Sequence, residues 1–109
     1  MSRKATDMGP VEIRNAREFQ RTVENDEKVL VDFYADWCAP CRMMEPAVEA
    51  VAEDGDVTVA KVNIDDNQKV ASAYGVRSVP TLILFSDGEP ADKAVGAKSE
   101  DELREFVRT

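Results

Sequence analysis

The chain has 109 residues, 43% of them apolar, which suits one domain with an ordinary core and leaves no room for a second. Its 22 acidic residues outnumber 14 basic ones, and with no histidine the formal net charge is −8. That balance excludes general nucleic-acid binding, which needs a basic face, and docking on anionic lipid.

Residues 1–10 are polar, carry Arg3, Lys4 and Asp7, and read as a loose arm ahead of a domain over 11–109. No apolar run follows the arm and no stretch approaches a membrane span, so the expected location is the cytoplasm. Val11 and Ile13 suggest a first strand. Asn15 and Glu18 have the spacing of a capping box opening a helix, with Phe19 and Val23 on one face. Residues 29–35 are a continuous β-prone run of the kind buried on both faces. A helix follows, with Met43, Met44, Ala47, Val48, Val51 and Ala52 at helical spacing. Pro46 inside it should kink it, and Gly55 should end it. Residues 57–64 alternate as a strand, and Asp66 or Asn67 opens a short helix through Ala73, closed by Gly75. Pro80 begins a strand through Phe85, a position where its missing donor is tolerated. Ser86-Asp87-Gly88-Glu89 is a hairpin turn signal, answered by a short strand near 93–95 and then Gly96. Ser99 and Glu102 form a second capping box, opening a last helix with Leu103, Phe106 and Val107 inward. Strands alternate with helices and end in a hairpin and a helix, which implies an α/β fold: a mixed sheet covered on both faces. The acids are scattered rather than bunched, as on a solvated surface; adaptation to salt is the sharper alternative.

The chemistry centres on Trp37-Cys38-Ala39-Pro40-Cys41, where the buried strand gives way to a helix. In a cytosolic protein such a pair is metal-binding or redox-active rather than a structural bridge. Cysteines at i and i+3 share one side of a helix, near enough for a reversible disulfide. Cys38, at the helix start, lies beside unpaired N–H groups and the positive end of the dipole, which favour its thiolate. It is expected to be exposed and attacking. Cys41, one turn in, is expected to be shielded and to resolve the mixed disulfide. Pro40 fits the first turn, and Trp37 makes an apolar wall beside the sulfurs. A single-chain zinc site is excluded, because two cysteines and no histidine fall short of four ligands. A zinc shared between two subunits, or two inert thiols, are the alternatives. Asp32, a carboxylate in mid-strand among apolar neighbours, is the candidate acceptor for the Cys41 proton. Burial would raise its pKa, and Lys61 is the candidate cation to lower it.

These residues, with Val31-Asp32-Phe33, Pro46, Lys61-Val62-Asn63-Ile64-Asp65, Tyr74-Gly75-Val76-Arg77, Val79-Pro80-Thr81, Gly88 and Val95-Gly96-Ala97, resemble the thioredoxin family from about Val11 to Thr109. The resemblance implies the thioredoxin fold, a cis Pro80 against the cysteines, and a Val79 backbone that bonds an extended substrate segment. Trp37, Ala39, Pro40, Val79, Pro80, Gly96 and Ala97 would then surround Cys38 as an apolar docking patch. The chain departs from the family at Ala39 and Ser78, where glycine is usual. Those changes bear on redox potential and partner choice, not on reaction type.

The function expected is protein-disulfide reduction by a monomer with no cofactor beyond the Cys38–Cys41 couple. No nucleotide or metal motif is present, so electrons must arrive from another protein; the resemblance implies a thioredoxin reductase-type donor and disulfide-containing target proteins. Two rivals stand beside it. A disulfide oxidase or isomerase would have a midpoint potential above the cytosolic poise. A non-catalytic binding module would keep its role after Cys38→Ser.

Overall fold

The computed structural model describes residues 9–108. The arm read over residues 1–10 therefore falls almost wholly outside the described residues. The elements are β1 (Val11–Ile13), α1 (Ala16–Asn25), β2 (Lys28–Tyr34), α2 (Ala39–Asp54), β3 (Thr58–Asn63), α3 (Gln68–Ala73), β4 (Thr81–Ser86), β5 (Glu89–Val95) and α4 (Glu100–Phe106). Their order along the chain is the one the periodicities imply.

One five-stranded sheet runs β1-β3-β2-β4-β5. Its first three strands are parallel, while β4 runs antiparallel to β2 and β5 to β4. β2 is central and covered on both faces, which is why residues 29–34 are apolar save for Asp32. Val29, Val31 and Phe33 join a core with Phe19 of α1 and Val70 of α3. Leu30 points the other way, into a core with Met44 and Val48 of α2 and Leu103 of α4. Side chains alternate along a strand, so Asp32 shares Leu30's side and lies beneath α2.

The first core closes on an aromatic trio. Phe85 meets Phe19 at 5.7 Å and Tyr74 at 5.3 Å between ring centroids, both edge to face. Such pairs add to the burial of the rings themselves. Phe85→Ala is expected to cost about 3–5 kcal/mol of unfolding free energy in urea titrations. A loss below 1 kcal/mol, about the size of a surface change, would contradict this packing.

Three expectations are corrected here. β5 is a seven-residue strand rather than a short one near 93–95. It is an exposed edge, with Pro90 and a register shift opposite Leu84/Phe85, so its residues carry no apolar alternation. Met43 is 80% exposed, because α2 turns it away from the sheet while Met44 goes in. At α1 the cap is only half a box. Asn15 Oδ1 accepts from the Glu18 N–H at 2.9 Å, but Glu18 accepts from the Arg14 N–H rather than from Asn15. The box at α4 is complete on both arms. α2 runs unbroken through Pro46 and ends at Gly55, whose φ of 79° is the left-handed cap glycine permits.

Candidate active site

The site is assembled at the end of β2, where the chain leaves the sheet and turns into α2. Cys38 is the residue before the helix, in extended conformation, and Pro40 occupies the first turn. Cys38 and Cys41 are joined as a disulfide with their Cα atoms 5.3 Å apart. The backbone N–H of Cys41 donates to Cys38 Sγ at 3.1 Å. A sulfur in that position receives both a direct donor and the field of a 16-residue helix, and both stabilise negative charge on it once the bridge opens.

Exposure does not separate the two cysteines. Cys38 is 4% exposed and Cys41 3%, packed in one small cluster with Ala35 and flanked by Val79. The expected open position of Cys38 is therefore corrected: in the disulfide form its side chain is packed against its neighbours. What distinguishes Cys38 is its place at the helix end.

The peptide bond between Val79 and Pro80 is cis. Thr81 Oγ1 donates to the Ser78 carbonyl at 2.7 Å and holds this turn. The Gly96 N–H donates to the Pro80 carbonyl at 2.9 Å, with Gly96 at φ 102°, a conformation other residues rarely adopt. The Lys98 N–H reaches Met44 Sδ at 3.4 Å. Ala97 is thus held on a loop tied to Pro80 on one side and to α2 on the other. Around the bridge Trp37, Ala39, Pro40 and Ala97 are exposed, Val79 and Gly96 half-buried, and Pro80 buried. Trp37 is 67% exposed, and its indole N–H donates to Asp65 Oδ2 at 3.0 Å. That bond fixes a large apolar ring in the open beside the cysteines. Val95, 66% exposed and opposite Thr81 in register, adds to the same apolar rim.

Beneath α2, Asp32 is 1% exposed and its Oδ1 has no hydrogen-bond partner. Burial pushes its pKa up to about 7; Lys61 pulls it down, and Glu45 and Glu12 push it up further. Lys61 stands opposite Asp32 in the β2–β3 register. Its ammonium lies 3.5 Å from Glu45 Oε2 and 4.4 Å from the centre of the Tyr34 ring. The Tyr34 hydroxyl donates to Glu12 at 2.6 Å, and burial and that carboxylate raise the phenol's pKa. Sequence reasoning missed Glu12, Tyr34, Glu45, Asp65 and Val95. Only Glu45 had a local signal, four residues after Cys41 and so one turn along the same side of the helix. Among the described residues no group of three or more His, Cys, Asp or Glu side chains is arranged to hold a metal ion, and no helix is long and apolar enough to cross a membrane.

A cysteine pair at a helix start, an adjoining cis-proline turn and a buried carboxylate under the helix define a thiol–disulfide oxidoreductase. The comparisons agree. The family model described as thioredoxin matches residues 10–109. A thioredoxin of Porphyra purpurea is 46% identical over 92 residues, covering 83% of this chain and 86% of that one. A thioredoxin of Alicyclobacillus acidocaldarius is 47% identical over 87 residues, covering 78% and 83%. A solved structure of a mutant thioredoxin from Halobacterium salinarum is 48% identical with a TM-score of 0.89, covering 93% of this chain and 89% of that one. The chain belongs to the thioredoxin family, and with it to the protein-disulfide reductases.

Proposed function

We propose that the protein reduces disulfides of target proteins by a two-step exchange in which its cysteines have fixed and different roles. The Cys38 thiolate attacks one sulfur of the target disulfide. A Cys38–target bond forms, and the target's other sulfur leaves as a thiolate. Cys41 then gives up its proton and attacks Cys38 Sγ, closing the Cys38–Cys41 bridge and releasing the second target thiolate. Two electrons pass from protein to target, and a reductase of the thioredoxin reductase type returns them. Asp32 is the acceptor of the Cys41 proton: it lies under α2, and its carboxyl titrates close to neutrality. Lys61 tunes that carboxyl. No cofactor enters the step.

The observation that carries the assignment of roles is the hydrogen bond from the Cys41 N–H to Cys38 Sγ at the start of α2. It favours charge on Cys38 and not on Cys41. Trp37, Ala39, Pro40, Val79, Pro80, Gly96 and Ala97 form the docking patch, with the Val79 backbone pairing to an extended target segment. Ala39 in place of glycine bears on the potential and on partner choice. A cytoplasmic location, where glutathione and reductases keep thiols reduced, fits this role.

The test is reduction of a disulfide-bonded model protein by the dithiol form, followed by release of target thiols, with the midpoint potential of the couple measured alongside. Stoichiometric reduction and a potential within the range of cytosolic reductants are expected. A dithiol form that reduces no protein disulfide would refute the reading, and a potential far above that range would favour the oxidase alternative.

A further inference from the structure

The ion cluster under α2 holds more charge than a carboxylate and its cation require. Asp32 is faced by Lys61 from β3, by Glu12 from β1 beyond it, and by Glu45 from α2, with Tyr34 on its own strand and only Leu82 opposite on β4. Among the described residues, Lys61 is thus the one cation set among three carboxylates. Its position is not neutral between them. The ammonium touches Glu45 at 3.5 Å and rests over the Tyr34 ring, while Asp32 Oδ1 goes without a partner. Tyr34 is in turn held by Glu12. The Lys61 side chain is 16% exposed and that of Glu45 44%, so the contact sits at the margin of the buried region, drawing the ammonium outward.

We propose that Glu45 is a positioning residue for the proton transfer: it holds Lys61 toward the helix and solvent, off Asp32, and so leaves that carboxyl free to take up the proton of the resolving thiol. The geometry gives the reason. An ammonium free to settle on Asp32 would keep that carboxylate ionised well below neutrality, where it is a poor acceptor for a thiol proton. Glu45 competes for the same ammonium and adds a negative charge of its own. Because Glu45 follows Cys41 by one helical turn, the contact lies on the side of α2 that carries the resolving thiol. This inference rests on the reading of Asp32 as proton acceptor and adds what governs it.

The experiment follows the Asp32 carboxyl by carbon NMR through a pH titration of the reduced protein, and the pH profile of disulfide reduction in parallel. In Glu45→Gln, which keeps shape and loses charge, the Asp32 midpoint is expected to move to lower pH. Reduction on the acid limb should become about twofold faster or more as the carboxylate becomes available. Glu45→Asp should bring the midpoint back toward the wild-type value, which a merely structural role would not. In the Lys61→Gln background the effect of Glu45→Gln should shrink, because the two act through one contact. An Asp32 midpoint that is unmoved or raised in Glu45→Gln overturns the proposal, as does an effect of full size without Lys61. A midpoint that moves while the rate profile stays put upholds control of Asp32 by Glu45 and instead refutes the part given to Asp32 in turnover.

Discussion

Cys41→Ser is expected to turn the protein from a catalyst into a trap. Cys38 keeps its place at the start of α2 and its donor, the backbone N–H of residue 41, which a side-chain change leaves in position. The first exchange therefore proceeds, and the Cys38–target bond forms as in the native protein. The second exchange needs a thiolate one turn into the helix, and a serine hydroxyl does not supply one at neutral pH. The mixed disulfide accumulates to one equivalent, visible as a band that disappears with added thiol, and turnover falls by roughly 10^3-fold or more. Cys38→Ser should instead give no covalent species at all, because the remaining thiol lies one turn inside α2 and is not the one the helix end favours. The asymmetry is the informative result. If Cys38→Ser trapped targets and Cys41→Ser did not, the roles drawn from the helix terminus would be reversed.

The parts of this site that were legible in the sequence are those whose chemistry is local or whose placement breaks a pattern. The two cysteines declare themselves by spacing and by standing at a strand-to-helix junction. Asp32 is visible because a carboxylate inside residues 29–35 violates the composition of a buried strand, and the structure gives it the burial that anomaly implies. The cis bond at Pro80 came from family resemblance, since nothing in the dipeptide itself distinguishes cis from trans. What stayed hidden was long-range. Trp37 and Asp65 are 28 residues apart, and Tyr34 and Glu12 are 22 apart. A glutamate on a helix flank looks like any solvated glutamate until the sheet brings Lys61 under it. Likewise, the burial of Cys38 depends on Ala35 and Val79 packing about the closed bridge, which no local pattern reports. Met43 misled for a simpler reason: beside Met44 it fits a helical apolar set, and only the facing of α2 shows which methionine goes inside.

Asp32→Asn is expected to make the oxidised protein more stable above neutral pH, and slower at and above neutral pH. Burial holds the Asp32 pKa at about 7, against the ordinary aspartate value of 3.8. Between those values the native protein keeps a proton that the unfolded chain has released, so stability falls as pH rises through that window. The cost is absent below about pH 4 and complete above about pH 7. At 1.36 kcal/mol per pH unit it is at most on the order of 4 kcal/mol. Asparagine has no such penalty, though its buried amide carries a pH-independent cost of about 1–3 kcal/mol if unpaired. The stability difference between variant and wild type should therefore grow in the variant's favour from about pH 4 to about pH 7 in denaturant titrations and then level off, whatever its offset at acid pH. A flat difference would mean that Asp32 is not held protonated in the fold. Loss of a positioned proton acceptor slows release of the target by about 10²-fold, the lower end for general acid–base groups, and the inflection near pH 7 disappears from the rate profile. The two effects have one cause. The buried carboxyl that destabilises the fold is the same group proposed to accept the Cys41 proton, so on that reading stability gained by removing it comes at the expense of turnover.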